Sequence, residues 1–385
     1  MKRRTVGVSL VVIAILCVVA LGFQPQQSKS GLVAPDGQDT ADLKEVKLED
    51  LQKEVRAREL RSATIDFSDL VLESHAEQRN LQPGFKNLKL NPQLAKYSFL
   101  DLVSTLIDEQ KSIYGQDNRK DLYLVSSDPL VTKSADAVVS LFDETRIIPL
   151  EDGTTKIVNK IYGTEYRLCE KEPFFRQPCS AFCSGVLVAP DIVATAGHCI
   201  DTQSTGTPPL VDIRFVFGYR MRDKDNAELV VSSNEVYRGK EIIQRVYTAG
   251  GADWALVRLN RTVTGHSPVP IRRGSKVSNA EDVYVIGHPR GLPAKFADGA
   301  IVRENSNADF FVANLDTYGG NSGSPVFNRK THEVEGILVR GETDFVSQSL
   351  IGSSSCQVSL RCPNNGCRGE DCVRTTLFAS LVPQH

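Results

Sequence analysis

From about Ile157 onward, the apolar runs of the chain are short and are separated by turn-forming residues. The runs are rich in Val, Ile, Phe and Tyr, and Gly, Pro, Asn or Asp interrupt them repeatedly. The clearest are Gly185–Val188, Ile213–Gly218, Glu228–Val231, Trp254–Leu259, Val283–Gly287, Phe310–Asn314 and Val334–Val339. Short β-branched and aromatic runs between turn residues are typical of antiparallel sheet. We therefore predict an all-β region, long enough for two six-stranded antiparallel β-barrels.

The residues ahead of this region follow a different pattern. Residues 41–62 are dense in charge and carry apolar residues at helical spacing, which predicts a helix. Residues 96–112 and 133–143 also favour helix, and the second of these segments has one apolar side. We expect a partly helical N-terminal segment before the barrels, which is either a propeptide or a solvated helical element.

The N-terminus has the features of an export signal. A basic head, Lys2–Arg4, precedes an almost wholly apolar run from Val6 to Gly22. Ala20 and Gly22 provide small residues at the two positions that a signal peptidase reads. We expect removal of residues 1–22, with a retained anchor as the alternative because the run is close to membrane-spanning length. Removal would leave a secreted or periplasmic protein without a membrane contact.

Eight cysteines remain once Cys17 is removed with the signal. An even number of cysteines in an exported chain indicates disulfides. The regular spacing of Cys362, Cys367 and Cys372 leaves a zinc site as the alternative, but structural zinc usually takes closer cysteine pairs or histidine partners. We therefore expect disulfides and no metal. The other five are Cys169, Cys179, Cys183, Cys199 and Cys356.

Composition and charge narrow the class of protein. The chain has 385 residues, of which 41% are hydrophobic, and its formal net charge is -2. This is a globular composition with enough apolar material for one large core or two small ones. A nearly neutral chain is not suited to nucleic acid as its main partner. The sequence does not indicate an oligomeric state.

Three motifs place a histidine, an aspartate and a serine in contexts suited to nucleophilic chemistry. His198 follows a run of small residues, Asp253 opens an apolar run, and Ser322 lies in a glycine-rich turn. In such a set the imidazole removes the hydroxyl proton, and the carboxylate holds the imidazole in the right tautomer. The turn can aim the amides of Gly320 and Ser322 at a carbonyl oxygen as it becomes an oxyanion. This chemistry requires no cofactor.

These motifs resemble those of the trypsin/chymotrypsin superfamily. The resemblance lies in Ala194–Cys199, Asp253–Leu256 and Gly319–Val326, and the last segment is similar to the bacterial branch that includes the glutamyl endopeptidases. Ile113–Arg119 also looks like the Gly-x-Asp-Asp-Arg segment near the start of the mature chain in that branch. The resemblance implies a serine endopeptidase with two barrels, acting on protein or peptide substrates. A protein of this fold that has lost activity and serves as a binding protein is the alternative.

The resemblance also divides the chain into three parts. Residues 1–22 would be the signal peptide, residues 23–112 an N-terminal segment and possible propeptide, and residues 113–385 the protease domain. Within the last part, Cys183 lies ahead of His198 and Cys199 directly after it. A disulfide between these two cysteines would close the strand-loop-strand that presents the imidazole. The sequence leaves the pairing of the other six cysteines open.

One departure from trypsin concerns activation. Asn321 stands immediately before Ser322, where trypsin has an aspartate that receives the new N-terminal ammonium after zymogen cleavage. That activation switch should therefore be absent. Tyr318 also replaces one of trypsin's cysteines.

The residues around the expected substrate pocket favour a basic substrate side chain. Asp316 lies six residues before Ser322, the spacing at which trypsin-like enzymes carry the aspartate at the base of the pocket. Thr317, Leu338 and Gly341 would line that pocket. Leu338 stands where glutamyl endopeptidases carry a histidine, which speaks against glutamyl specificity. We predict cleavage after Arg or Lys; the alternative is that Asp316 is a loop residue capped by nearby amides.

Overall fold

The structure, a computed structural model, describes residues 112–200, 207–248, 250–349 and 355–384. The expected signal peptide, the helices expected at 41–62 and 96–112, and nearly all of the N-terminal segment lie outside the described residues. Within the described part, no helix is both long and apolar enough to cross a membrane.

The described residues form mainly short strands, with two short α-helices. In chain order the elements are β1 (Ile113–Tyr114), β2 (Arg119–Asp121), α1 (Pro129–Asp136), β3 (Val138–Asp143), β4 (Ile147–Pro149), β5 (Thr154–Ile157), β6 (Lys160–Ile161), α2 (Tyr162–Glu165), β7 (Pro178–Cys179), β8 (Cys183–Ala189), β9 (Ile192–Thr195), β10 (Ile213–Val216), β11 (Val230–Ser232), β12 (Val236–Tyr247), β13 (Asp253–Leu259), β14 (Asp282–Gly287), β15 (Lys295–Glu304), β16 (Phe310–Ala313), β17 (Pro325–Asn328), β18 (Val334–Arg340), β19 (Phe345–Ser349), β20 (Ser355–Ser359), β21 (Arg361–Cys362) and β22 (Glu370–Arg374).

The first barrel closes from six antiparallel strands in the order β3, β8, β9, β13, β12 and β10, and β10 pairs back to β3. Strands β8 and β9 are buried along their whole length, which fits strands covered on both faces. The long strand β12 has two register shifts against β13, and irregularities of this kind let a strand bend around a barrel. Closure leaves no unpaired strand edge in this barrel.

The second barrel has the order β14, β17, β18, β22, β16 and β15, and β15 pairs back to β14. Strand β2, from the start of the described chain, adds to the outside of this barrel by pairing with β15. The prediction of two six-stranded antiparallel barrels is therefore confirmed.

One apolar cluster extends across both barrels. It includes Val193 and Leu256 from the first barrel and Tyr284 and Ile337 from the second, all fully or almost fully buried. Because interiors of this kind are close-packed, the shared core holds the two barrels in one arrangement. Residues on the facing loops of the two barrels are thereby kept in a fixed relation.

The prediction of a helix at 133–143 is wrong for most of this segment. Helix α1 ends at Asp136, and Val138–Asp143 form strand β3 of the first barrel. The helix starts earlier than expected because the Asp128 carboxylate accepts hydrogen bonds from the amides of Leu130 and Val131. Strand β3 pairs with β8 on one edge and with β10 on the other. The backbone hydrogen bonds of these two pairings outweigh the helical preference of the local sequence.

The expectation that all eight cysteines form disulfides is wrong at two positions. The described residues contain the disulfides Cys169–Cys356, Cys183–Cys199 and Cys362–Cys367. Cys179 and Cys372 are buried thiols, and each packs in a different apolar cluster. Buried free cysteine behaves as a small apolar side chain, so these two are accommodated without a partner. The Cys362–Cys367 bond also takes up two of the three sulfurs of the zinc alternative.

Candidate active site

Adjacent strands of the first barrel bring His198 and Asp253 together. Strand β9 leads directly into the 3-10 turn Gly197–Ile200 that carries His198, and Asp253 is the first residue of the neighbouring strand β13. Gly197 is required in this turn because a Cβ there would lie 2.4 Å from the carbonyl oxygen of Val246. The local fold therefore sets the aspartate beside the imidazole.

The Asp253 carboxylate makes two hydrogen bonds with His198. Its Oδ2 lies 2.7 Å from the ring Nδ1, and its Oδ1 accepts from the backbone amide at 3.0 Å. Burial by itself would raise the pKa of Asp253, but the attraction of His198 and its hydrogen bonds outweigh burial and hold that pKa below its usual value. An ionised carboxylate at Nδ1 favours the tautomer with its proton on Nδ1, which leaves Nε2 as the basic atom.

Ser322 lies in a tight turn ahead of strand β17. The amide of Asn321 donates to the carbonyl oxygen of Tyr318, and the amide of Gly323 donates to that of Leu338, at 3.0 and 2.8 Å. Gly323 has a φ of +87° and sits so close to the first barrel that a Cβ would lie 2.0 Å from the carbonyl oxygen of Ser184. Only glycine fits both the conformation and the close approach.

The turn that carries Ser322 is hydrogen-bonded to the first barrel close to His198. The carbonyl oxygen of Ser322 accepts from the amide of Ser184 at 2.8 Å and lies 3.6 Å from the Sγ atom of Cys199. Cys199 follows His198 in the chain and is bonded to Cys183, the neighbour of Ser184. Ser322 is itself largely buried. The disulfide and the Ser184 contact thus bring the serine turn to the histidine turn.

Gly320, one of the two amides expected to face an oxyanion, has a φ of +82°. A Cβ at this position would lie 2.8 Å from the carbonyl oxygen of His288, so glycine is needed on steric grounds as well. The Ser184 hydroxyl donates to the carbonyl oxygen of Gly320 at 2.9 Å and accepts from the amide of His288. His288 is buried at the start of the 3-10 turn Pro289–Gly291.

One group of metal-type ligands occurs within the described residues. It consists of His198, Cys183 and Cys199, whose ligand atoms all lie within 4.8 Å of one another. The two sulfurs are bonded to each other, so neither can supply a thiolate to a metal ion. The group therefore does not fit a metal site.

Asp316 is buried and binds the start of the described chain. Its Oδ1 accepts from the amide of Tyr114 and its Oδ2 from the amide of Asn118, each at 2.7 Å. Burial raises the pKa of Asp316 to about 6, and the two amide bonds oppose that rise. Both oxygens hold backbone amides, which is the arrangement offered above as the alternative to a pocket role.

Two of the expected pocket residues contact a carboxylate that the sequence analysis did not single out. The Oε2 atom of Glu370 accepts from the hydroxyl of Thr317 at 2.8 Å, and Glu370 is fully buried. A Cβ on Gly341 would lie 2.1 Å from the same carboxylate. Leu338, by contrast, points into the interior of the second barrel. Glu370 thus fills the space between Thr317 and Gly341.

Sequence reasoning missed three residues of this site: Ser184, Glu370 and Asp344, whose bonds to the turn before Ser322 are described below. Glu370 opens strand β22, but three of the five residues of this strand are charged, so no apolar run marked Glu370 as a buried carboxylate. Ser184 likewise has no local signal, because a serine within an apolar strand is common.

Two antiparallel six-stranded barrels that share one core define the chymotrypsin-like fold. The family model of the trypsin-like peptidase domain matches residues 183–337, a stretch that contains His198, Asp253 and Ser322. This match confirms the resemblance to the trypsin/chymotrypsin superfamily and supports a serine peptidase.

The solved structures to which the chain is similar include a Glu endopeptidase in complex with MPD. The TM-score is 0.39 at 15% sequence identity, covering 70% of this chain and 98% of that one. Human heparin binding protein is similar to the same degree, with a TM-score of 0.39 and 15% identity over 65% of this chain and 91% of that one. No curated protein matches the chain.

Proposed function

We propose that the protein is an exported serine endopeptidase whose triad is His198, Asp253 and Ser322. The observation that carries this proposal is the pair of hydrogen bonds between Asp253 and His198, next to a serine turn that contacts Cys199. The buried carboxylate orients the imidazole, and the turn that carries Ser322 contacts Cys199, the residue that follows His198. These are the relations that acyl transfer to a serine hydroxyl needs.

In the proposed reaction, the Nε2 atom of His198 removes the proton of the Ser322 hydroxyl as the oxygen attacks the substrate carbonyl carbon. Asp253 stays ionised and stabilises the imidazolium that forms. The imidazolium then protonates the leaving amine, and a water molecule hydrolyses the acyl-enzyme by the same steps.

The amides of Gly320 and Ser322 would receive the oxyanion. Loss of one donor of this kind typically costs about 3 kcal/mol of transition-state stabilisation. No cofactor takes part in these steps.

Covalent labelling tests this function most directly. A fluorophosphonate should label the protein at Ser322, and peptide mapping by mass spectrometry identifies the site. Labelling should be lost in Ser322→Ala and strongly reduced in His198→Ala. A folded protein that shows neither labelling nor peptide hydrolysis would contradict the proposal.

We further propose cleavage after Arg or Lys, with Glu370 as an acidic group of the substrate pocket beside Asp316. Two buried carboxylates near Thr317 make the region attractive to a cation and unfavourable for an acidic side chain. This charge also argues against glutamyl specificity, together with Leu338 in place of a histidine.

Substitutions at Glu370 and Asp316 separate the roles of the two carboxylates. Glu370→Gln keeps the side-chain volume and removes the charge, so kcat/KM on Arg and Lys peptides should fall by about 100-fold, as expected for loss of a charge-assisted bond. Cleavage after Ala should change little, and Asp316→Asn should have the smaller effect on Arg and Lys peptides. A peptide-library digest in which wild type cleaves equally after Leu, Glu and Arg would contradict this specificity.

An inactive binding protein of the same fold is the second candidate. The observation that favours it is Glu370 itself, because its side chain occupies the space between Thr317 and Gly341 that a substrate side chain would need. If the protein is inactive, Glu370→Ala should open that space without producing hydrolysis. An active protein should instead gain cleavage after larger side chains in the same variant.

The proposal also covers processing of the chain. We expect export with removal of residues 1–22, and a propeptide role for residues 23–112 ahead of a protease domain at 113–385. The disulfides of the described residues support an oxidising compartment. N-terminal sequencing of the secreted protein tests both cleavage sites. A mature chain that still begins at Met1 would contradict them.

A further inference from the structure

Gly319 is held at its amide and at its carbonyl by two residues outside the predicted triad that also pair with each other. The amide of Gly319 donates to both carboxylate oxygens of Asp344, at 3.2 and 3.0 Å. The carbonyl oxygen of Gly319 accepts from the backbone amide of Arg290 at 2.5 Å. The side chains of Arg290 and Asp344 form a salt bridge with each other. We refer to this arrangement as the Arg290–Asp344 clamp.

Both side chains of the clamp are largely buried, and aromatic rings contact the guanidinium of Arg290. The Asp344 side chain is 1% exposed and that of Arg290 is 12% exposed. The guanidinium lies over the rings of Tyr166 and Phe345, with its carbon 5.1 and 5.6 Å from the ring centroids. Arg290 has a φ of +49°, an uncommon conformation for a residue with a side chain. Its salt bridge and its ring contacts hold it there.

The direction of the Gly320 amide follows from the planarity of the peptide bond. In a trans peptide the carbonyl oxygen of Gly319 and the N–H of Gly320 point in opposite directions. Because the Arg290 amide fixes the carbonyl of Gly319, the N–H of Gly320 is directed to the other side. A flip of this peptide would break the Arg290 bond and turn the N–H away from the position of the oxyanion.

We propose that the Arg290–Asp344 clamp fixes the Gly319–Gly320 peptide with the Gly320 N–H directed at the oxyanion. This inference rests on the proposed peptidase activity, and it makes Arg290 and Asp344 positioning residues. The clamp lies within the described chain and involves no chain terminus, so it orders the oxyanion site by a different route from trypsin's N-terminal ammonium. Asn321 at the position of trypsin's aspartate fits that difference.

The test compares kcat, KM and transition-state binding in variants of the full chain. Asp344→Asn keeps the shape of the side chain and removes its charge, and Arg290→Gln removes the other partner. Each should lower kcat by about 100-fold, the loss expected from misdirecting one oxyanion donor, with KM changed less than about twofold. Binding of a peptide aldehyde, whose adduct carries an oxyanion, should weaken by a similar factor. Arg290→Lys should recover part of kcat.

Glu335→Gln is the matched control for loss of a buried ion pair. Glu335 is buried in strand β18 of the second barrel, where it pairs with Arg272 and accepts a hydrogen bond from Asn328, and neither partner is a predicted site residue. This variant should lower the melting temperature about as much as Asp344→Asn while keeping kcat and aldehyde affinity.

Three outcomes overturn the inference. Clamp variants that keep kcat and aldehyde affinity within threefold of an active wild type overturn the clamp alone. If Glu335→Gln, at an equally lowered melting temperature, loses as much kcat as the clamp variants, the losses in the clamp variants reflect stability and not positioning. A folded wild type with no turnover and no fluorophosphonate labelling overturns both the proposed function and the clamp.

Discussion

The two barrels hold their parts of the candidate site in different ways. In the first barrel, His198 and Asp253 come together through adjacent strands and a disulfide between Cys183 and Cys199. In the second, the turn before Ser322 is held by buried carboxylates from distant parts of the chain, notably Asp344. Strand pairing and a covalent bond do not depend on charge, whereas buried carboxylates respond to pH and to single neutral substitutions. The position of the serine turn is therefore more open to electrostatic control than the position of the histidine turn.

The largest expected effect is the loss of turnover on replacing Ser322 of the second barrel or His198 of the first. Ser322→Ala and His198→Ala should each lower kcat by about 10⁶-fold, and the double variant should lose little more, because the residues act as a unit. Steady-state hydrolysis of a peptide substrate measures this, with circular dichroism to confirm folding. If Ser322→Ala kept a tenth of wild-type turnover, the proposed nucleophile would be wrong.

Removal of the Cys183–Cys199 disulfide of the first barrel should cost more stability than removal of the Cys362–Cys367 disulfide. The double variant Cys183→Ala/Cys199→Ala opens a loop with a sequence separation of 16 residues, so the free energy of unfolding should fall by about 3 kcal/mol. The control Cys362→Ala/Cys367→Ala opens a separation of only 5 residues and should cost about 2 kcal/mol. Guanidinium unfolding without reductant measures both.

The disulfide variants also test the link to the serine turn. Loss of the first disulfide should lower peptidase activity, because Cys199 packs against Ser322. An activity loss that is larger in the control pair would contradict the role assigned to the Cys183–Cys199 bond.

The pH response of Asp316 tests the electrostatic character of the second barrel. Its pKa is raised from 3.8 to about 6 in the folded protein, so the folded state binds the proton more tightly than the unfolded chain. The stability from this group is present below pH 4 and is lost as pH rises through 6, by about 3 kcal/mol at most. The melting temperature of Asp316→Asn should therefore rise relative to wild type between pH 4 and 6.

The control for this prediction lies in the first barrel. Asp143→Asn removes an aspartate that caps a 3-10 turn, and this variant should keep the wild-type dependence of melting temperature on pH between pH 4 and 6. If Asp316→Asn also keeps that dependence, Asp316 does not carry the raised pKa.

The smallest expected effect is the loss of stability on removing one buried hydrogen bond, and this loss should be equal in the two barrels. The Ser140 hydroxyl donates to the carbonyl oxygen of Val216 in the first barrel, and the Thr375 hydroxyl donates to that of Arg272 beside the second. Ser140→Ala and Thr375→Val should each cost about 1 kcal/mol, the usual net value of one hydrogen bond, with kcat unchanged. A loss above about 3 kcal/mol in one barrel only would show that the barrels differ in packing as well as in electrostatics.

Local sequence patterns were sufficient to predict the fold class and the candidate triad. Short apolar runs between turn residues predicted two barrels, since strand formation leaves a period-two pattern and its turns leave Gly, Pro, Asn and Asp. His198, Asp253 and Ser322 were found because each lies in a short local motif. The helix expected at 133–143 failed where pairing with β8 and β10 made Val138–Asp143 a strand, an outcome that local spacing does not contain.

Which carboxylates hold the site and which cysteines stay free depends on long-range contacts in the folded protein. Asp316 binds amides some 200 residues earlier in the chain, with a sequence separation of 202 residues to Tyr114, and Asp344 meets Arg290 across 54 residues. Such contacts leave no local pattern, because each depends on where two distant segments cross. Cys179 and Cys372 remain thiols for the same reason: each is packed in its own apolar cluster, and a disulfide needs two cysteines within reach.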